Sequence, residues 1–386
     1  MNKEESRRLY NALVNNDTIF LTQMIRKDFD MNETVFQLPG WSIKYTPLQF
    51  VVYKGKLPTV QFLLEKGVNP NVRGIKGDTP LIMSIKAGFH QISEKLIISG
   101  ANTCKPDING KTPLYWAVDK RNQQIINLLL DYGAELTIHS ALLHAIDSNF
   151  LDMVQLLVER GAPVNVVSSE TPLTRAIMRG YLDIAKYLIE SGADVNLADK
   201  NGKPLNIAIR EKCWDIVKCL IERGADLNLT DVDGNLPVKM CMEKHNFEIL
   251  TWMIEKGFKV DTTLANTALV WSLEMEKVNL VKCFIEQGAD VNQKHKNGQT
   301  LLSIALKNSD LRSFRLLIES GADPRLAKAE IKEKIAKDYD FAVYMKSPDL
   351  KSKMEKQLTI RVGIDENASP LQGVTGHEEI PLREQS

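Results

Sequence analysis

TPLTRAIMRGYLDIAKYLIESGADVN, residues 171 to 196, is the stretch from which the rest of the chain can be read. Thr171 suits a helix N-cap, and Pro172 suits the first helical position, where a missing N–H is harmless because the first helical donors have no intrahelical acceptor. The apolar run around Ala176 predicts one short helix. Leu182, Ile184, Ala185, Leu188 and Ile189 fall at the spacing of one face of a second. Gly180 between them permits a reversal of the chain. Gly192 fits the left-handed residue that closes a helix, a conformation that costs other residues about 1–2 kcal/mol. The unit predicted is a pair of short antiparallel helices followed by an extended Ala-Asp-Val-Asn arm.

The unit recurs. Glycines closing the second helix fall at Gly67, Gly100, Gly133, Gly161, Gly192, Gly224, Gly257, Gly288 and Gly321, at successive intervals of 33, 33, 28, 31, 32, 33, 31 and 33 residues. TPL opens the copies at 46, 79, 112 and 171, and GAD closes those at 192, 224 and 288. A period near 33 with these two signatures, carried from about residue 43 to 324, resembles the ankyrin repeat. The resemblance implies an all-α solenoid of about nine helix-turn-helix repeats with β-hairpin fingers. One departure is consistent: the histidine that follows TPL in the family is replaced by Gln49, Ile82, Tyr115 or Thr174. Its usual support for the loop must come from other groups.

Residues 1–42 read as an N-terminal helical cap and connector, with Leu9, Ala12 and Leu13 on one inner face and Ile19, Leu21, Met24 and Ile25 on the next. Trp41, beside the Pro39-Gly40 turn, is expected to cover the first groove. Repeats occupy 43–324. Residues 325–357 read as a C-terminal helical cap, with Ile331, Ile335, Phe341, Val343 and Tyr344 available to cover the last repeat and Pro348 dividing the segment. Residues 358–386 lose all periodicity and read as a disordered acidic tail. Lys76-Gly77, Asn109-Gly110, Asn201-Gly202, Asp233-Gly234 and Asn297-Gly298 supply the positive φ of tight fingers. Shorter connections around 137–140, 166–170 and 261–266 lack such a dipeptide, so the finger row is expected to be interrupted in the fourth, fifth and eighth repeats.

Charge narrows the function. Lys and Arg number 49 and Asp and Glu 49, so no overall field draws the protein to nucleic acid or anionic lipid. Five cysteines form no CxxC pair and six histidines complete no zinc pattern, which suits a reducing compartment without a metal or other cofactor. The opening MNKEESRRLYNALVNN has no apolar run long enough for a signal peptide or a span. A cytoplasmic monomer with no membrane insertion is expected.

Catalysis has one candidate pair, Cys241 and His245, at i and i+4. Aligning copies puts Cys241 in the small, packed column of Ala117, Ala145, Ala176, Ala208 and Ala305, and His245 in the reversal column of Gly180, which favours packing. Trp116, Trp214, Trp252 and Trp271 fall in columns expected to pack. No phosphate loop or paired carboxylates stand out, so a non-enzyme is expected. The alternative is a substrate platform for an unrecognised activity.

Function is therefore assigned to surface. In the ankyrin family the partner commonly lies against the fingers and the exposed positions of the first helices. Two and three residues past the small column, the copies vary while their core columns do not, and Tyr53, Lys54, Lys86, Lys120, Met178, Arg179, Arg210 and Met275 are the candidate partner-binding residues. Met, Arg and aromatic side chains are favoured at interfaces. The resemblance adds two expectations. Asn196, Asn228 and Asn292, each with an apolar residue eight positions earlier, resemble sites modified by a eukaryotic asparaginyl hydroxylase, although hydrogen bonding to the finger backbone accounts for them structurally. Divergent repeats with an acidic tail resemble effectors that intracellular bacteria deliver into host cells by type IV secretion, with Glu378, Glu379 and Glu384 in the export signal.

Overall fold

The computed structural model describes residues 3–27, 29–33, 45–73 and 77–346. Expectations placed on Trp41, Pro39-Gly40, Lys76, Pro348 and the tail lie outside the described residues. Among the described residues all regular structure is helical, and the fingers reach only isolated bridges, Asp199 with Gly202 and Lys294 with Thr300. The chain divides into two compact units, Met1–Met240 and Cys241–Ser386.

In the first unit the predicted pairs are present. They are Pro47–Tyr53 with Leu57–Glu65, Pro80–Ala87 with His90–Ile98, Pro113–Asp119 with Gln123–Asp131, Ile138–Asp147 with Leu151–Glu159, Pro172–Met178 with Leu182–Glu190, and Pro204–Arg210 with Trp214–Glu222. First helices of successive repeats pack side by side as an inner layer, and second helices pack against them. Leu173, Ala176, Ile177, Ile184, Ala185 and Leu188 are sealed between the layers. Burying one such aliphatic side chain stabilises by about 1.5–3 kcal/mol.

Local chemistry starts each inner helix as the sequence indicates. Thr171 Oγ1 accepts from the Thr174 N–H while Thr174 Oγ1 accepts from the Thr171 N–H, both at 3.0 Å, and Pro172 follows. Residues in the column of the missing histidine take over its loop support by separate routes. Gln49 Nε2 donates to the carbonyls of Val72 and Asp78, Asn206 Nδ2 donates to Leu229, and Thr174 bonds the Asp199 carboxylate of the following finger.

The reversal between helices needs a left-handed residue in every copy, yet only Gly55, Gly88 and Gly180 are glycine there. Arg121, Asn149, Lys212, His245, Glu276 and Ser309 hold φ between 51 and 59°. Lys212→Gly is expected to raise the unfolding free energy by about 0.5–1 kcal/mol, the relieved strain exceeding glycine's added freedom in the unfolded chain. Urea denaturation measures it.

In two of the three copies that lack a finger dipeptide, helix takes its place. Ile138–Asp147 runs 10 residues behind a 3₁₀ turn at Glu135–Thr137, and Thr262–Glu274 runs 13, against 7 for Pro172–Met178. In the third, residues 168–170 form a bend.

The amino-terminal helices, Lys3–Asn15 and Thr18–Arg26, follow the same plan as the repeats: Asn16 is left-handed between them, and Asn32 Oδ1 accepts from the Asn69 N–H at 2.8 Å. Leu9, Leu13 and Leu21 are buried, but Ile19, expected inward, is 73% exposed because the helix starts at Thr18 and turns its first residues outward.

In the second unit Phe247–Glu255 leads to two complete pairs, Thr262–Glu274 with Val278–Glu286 and Leu301–Lys307 with Leu311–Glu319, followed by Lys328–Lys337 and Tyr339–Met345. Phe341 seals the last pair by meeting Phe314 edge-on at 5.4 Å, and Ile331 is buried with it. Ile335 and Val343, expected to help, face outward, since Ile331 and Phe341 already occupy the side turned to the repeat.

Candidate functional site

The fingers are built on aspartates that the dipeptide pattern does not reveal. Asp107 Oδ1 accepts from the N–H groups of Asn109 and Lys111, and its other oxygen accepts from Trp116 Nε1 at 3.0 Å and Lys86 Nζ at 3.2 Å. Asp199 and Asp231 take the N–H groups of Asn201 and of Asp233 and Asn235 in the same way. The signal in the sequence is the aspartate three residues before Gly110, Gly202 and Gly234, a place held by Gly74 in the first finger and His295 in the last. Fingers also touch each other. At Gly77, φ is +75° and an added Cβ would overlap Ile108 Cγ2, so the exposed Ile108 lies against Gly77 of the preceding finger.

Behind the fingers, the inner helices of the first unit carry the candidate residues. Tyr53 is 50% exposed and stacks on Tyr45 at 5.3 Å, and Lys54 Nζ lies 5.5 Å from the Tyr53 ring centre. Lys86 is bound inward to Asp78 and Asp107 across the Trp116 face, 4.3 Å from its centre, so it supports the finger as well as facing outward. Lys120 pairs with Asp119 at 3.4 Å, Arg179 with Asp147 at 3.2 Å, and Arg210 with Glu211 at 3.1 Å. Met178 is 37% exposed. These residues share the layer formed by consecutive inner helices. Met275, also partly exposed, lies in the second unit at the end of Thr262–Glu274.

Several residues of the face were missed in the sequence. The Tyr115 ring stacks on His144 at 3.8 Å, Lys111 Nζ donates to Tyr115 Oη at 2.8 Å, and Arg175 joins Asp147 to Glu170. Trp116, expected to pack, is only half-buried and closes the Asp107 cluster. Burial holds the His139 and His144 rings below the ordinary histidine range; Arg175 reinforces this at His139, while Asp119 opposes it at His144. Burial alone would raise the Asp107 carboxyl, but hydrogen bonds from the Lys111 N–H, Lys86, Trp116 and the Asn109 N–H together bring it below its usual range. Glu170 is likewise lowered, with Arg175, Asn201 and Lys200 outweighing burial.

The arm asparagines bond to a different partner from the one expected. Asn196 Nδ2 donates to the Gly224 carbonyl at 3.2 Å and its Oδ1 accepts from the Asp226 N–H at 2.8 Å, tying one arm to the end of the next second helix rather than to the finger. Asn292 does the same with Gly321 and Asp323, because the left-handed glycine leaves helix-end groups open to the arm before it. Asn228, more exposed, donates to Asp226 Oδ1 at 3.3 Å. Asn196→Ala is expected to lower the unfolding free energy by about 1–2 kcal/mol, read from urea denaturation.

Cys241 and His245 do not share a helix face. Pro237–Glu243 ends before His245, which is left-handed at φ +55° and lies near the Trp271 ring, at 6.2 Å between centres. Cys241 is fully buried against Met253 sulfur at 3.8 Å, and burial pushes its thiol up to about 12, the wrong direction for a thiolate nucleophile. Among the described residues no group of acidic, histidine and cysteine side chains could hold a metal ion, and no helix is long and apolar enough to cross a membrane.

Capped inner helices, left-handed closures and arm-to-arm bonds recur throughout, and the sequence profile described as "Ankyrin repeats (3 copies)" matches residues 9–107, 48–140, 142–231 and 238–328. The chain belongs to the ankyrin-repeat family. Human B-cell lymphoma 3 protein is 29% identical over 147 residues, covering 34% of this chain and 32% of that protein. A probable E3 ubiquitin-protein ligase of Oryza sativa subsp. japonica is 34% identical over 86 residues, covering 22% of this chain and 16% of that protein. The chain thus spans a third or less of the length of these curated relatives. Among solved structures, the ankyrin repeat domain of Bcl-3 is 27% identical and covers 51% of this chain and 93% of its own, with a TM-score of 0.47. An ankyrin repeat domain from Acinetobacter baumannii is 27% identical, covering 47% of this chain and 98% of its own, with a TM-score of 0.43. Ankyrin repeats serve as protein interaction scaffolds, and the inner layer with its fingers is where this chain offers variable side chains on a repeated core.

Proposed function

We propose that this ankyrin array is a non-catalytic adaptor that holds a segment of a partner protein across the fingers and inner helices of its first unit. The observation that carries the reading is the contrast within one layer. Val51, Ser84, Ala117, Ala145, Ala176 and Ala208 fill one buried column, while the positions two or three residues on, among them Lys120, Met178, Arg179 and Arg210, change from copy to copy and face outward. A partner spanning several repeats would bury about 1,200–2,000 Å², enough for a specific complex. Replacing Tyr53, Met178, Arg179 and Arg210 together by alanine is expected to weaken capture of partner proteins from a eukaryotic lysate at least tenfold, with the urea midpoint unchanged. Equal capture by both forms would reject the face.

The adaptor acts as a cytoplasmic monomer in this proposal. Its finer setting, delivery into a host cell, is carried by the resemblance of the tail; deletion of residues 366–386 should abolish delivery and spare folding, and normal delivery without them would dismiss it. Asn196, Asn228 and Asn292 are proposed hydroxylation sites, with Asn228 the most accessible. A mass increase confined to peptides bearing them after incubation with the hydroxylase supports this, and unmodified peptides reject it.

A further inference from the structure

We infer that the segment held by the inner face is an acidic stretch of polypeptide, a conclusion that rests on the protein-binding reading above. Although the whole chain is neutral, with 49 basic and 49 acidic residues, the face sorts its charges by depth. Its carboxylates are committed to the protein. Asp107 is saturated by two turn N–H groups, Lys86 and Trp116. Asp199 holds the Asn201 and Thr171 N–H groups and the Thr174 hydroxyl. Glu170 takes Arg175 and Lys200, and Asp147 takes Arg175 and Arg179. The cations lie outside them. Lys200 is 58% exposed over Glu170 at 15%, and Arg179 is 51% exposed over Asp147 at 33%. Lys120 over Asp119 repeats the order, Arg210 and Glu211 lie level at 42% and 41%, and Arg175, tucked between Asp147 and Glu170, is deeper than Asp147. An approaching partner therefore meets ammonium and guanidinium groups first, each with donors left for an acceptor.

Spacing defines the ligand further. Inner helices of neighbouring repeats lie about 8–10 Å apart, so the cations from Lys120 in the third repeat to Arg210 in the sixth span roughly 25–30 Å. The fourth repeat has Asp147 and Ser148 at these positions, so in an extended chain rising about 3.3 Å per residue the carboxylate facing Arg179 lies about five or six residues from the one facing Lys120, and the one facing Arg210 about three further on. Met178 and the half-buried Trp116 give apolar floor between the cations. Single-stranded RNA would answer the charge but not the rings: His144 covers Tyr115 and Lys86 covers Trp116, so neither offers an open face on which a base can stack.

The test is selection of a phage-displayed library of random 16-residue peptides on the full chain, followed by titration of a fluorescein-labelled glutamate–tyrosine copolymer. Enrichment of Asp and Glu is expected, with copolymer affinity falling about tenfold between 50 and 500 mM salt and at least tenfold in the Lys120→Glu, Arg179→Glu, Arg210→Glu variant, whose folding is checked by urea denaturation. That variant should select Lys-rich and Arg-rich peptides instead. Enriched peptides that lack acidic residues yet lose binding to the four-alanine form would overturn the acidic inference and leave the face standing. Peptides indifferent to the four-alanine change would reject the face itself. Displacement of bound peptide by poly(U) RNA at equal or lower concentration would overturn the proposal in favour of nucleic acid.

Discussion

Asp107→Ala is expected to lower the unfolding free energy by about 2–4 kcal/mol. The carboxylate, with its side chain wholly buried, satisfies two turn N–H groups, the Trp116 indole and the Lys86 ammonium. Alanine leaves those donors beside a space too closed for full hydration, and buried donors without acceptors cost about 1–3 kcal/mol each, less where water reaches the turn. Asp107→Asn should cost less, because Oδ1 can still accept from Asn109 and Lys111 while the amide faces Trp116 and Lys86 unfavourably. The pH dependence separates this account from simple loss of packing. The Asp107 carboxyl is held below its unfolded value, so the unfolded chain takes up the proton first as the pH falls. Its stabilisation is complete above the ordinary carboxylate pKa of about 3.9 and is lost as the pH drops through the lower folded value. Urea denaturation at pH 7 and at pH 3 should show the alanine variant much closer to the parent at the acid end. An equal deficit at both would assign Asp107 a packing role.

Leu188→Ala is expected to cost about 2–5 kcal/mol. The side chain is fully buried in Leu182–Glu190, under the inner helix Pro172–Met178 and beside the helix Trp214–Glu222, which leaves little freedom to close the cavity. In a repeat array each copy is stabilised by its neighbours, so the loss should be local in hydrogen exchange. Protection should fall first in the fifth repeat and those on either side, with Lys3–Asn15 retaining its own. Uniform loss along the first unit would mean that the array unfolds as a single cooperative block.

Most of the fold was legible in the sequence because its rules are local. Thr171-Pro172 specifies a helix start and Gly192 a left-handed stop, whatever surrounds them, and nine copies make the period plain. Side chains whose partners lie in another repeat were harder to read. In sequence Asn196 points to its own finger, whereas its acceptor and donor belong to the next helix end, 28 and 30 residues away. Asp107 and Trp116 look unrelated in sequence and meet only because the finger folds back over its own inner helix. Tyr115 and His144 form their stack only through the packing of two inner helices. Reversal residues such as Lys212 hid the periodicity at that column, since tertiary packing imposes a left-handed backbone on a residue that does not favour it. The exposed candidates were easier to place, because a varying position close to a column of mostly small, buried residues declares its side of the helix.

Whether the partner lies on the inner layer is measured by photocrosslinking in a eukaryotic lysate from a benzophenone side chain placed either at Met178, on that layer, or at Lys186, exposed on the second helix of the same repeat. Both forms share every other surface, so the comparison isolates the face. A discrete adduct is expected from position 178, competed by excess unlabelled protein and absent when Tyr53, Arg179 and Arg210 are alanine, with none from position 186. A competed adduct from position 186 alone would place the partner on the outer layer and contradict the inner-layer reading.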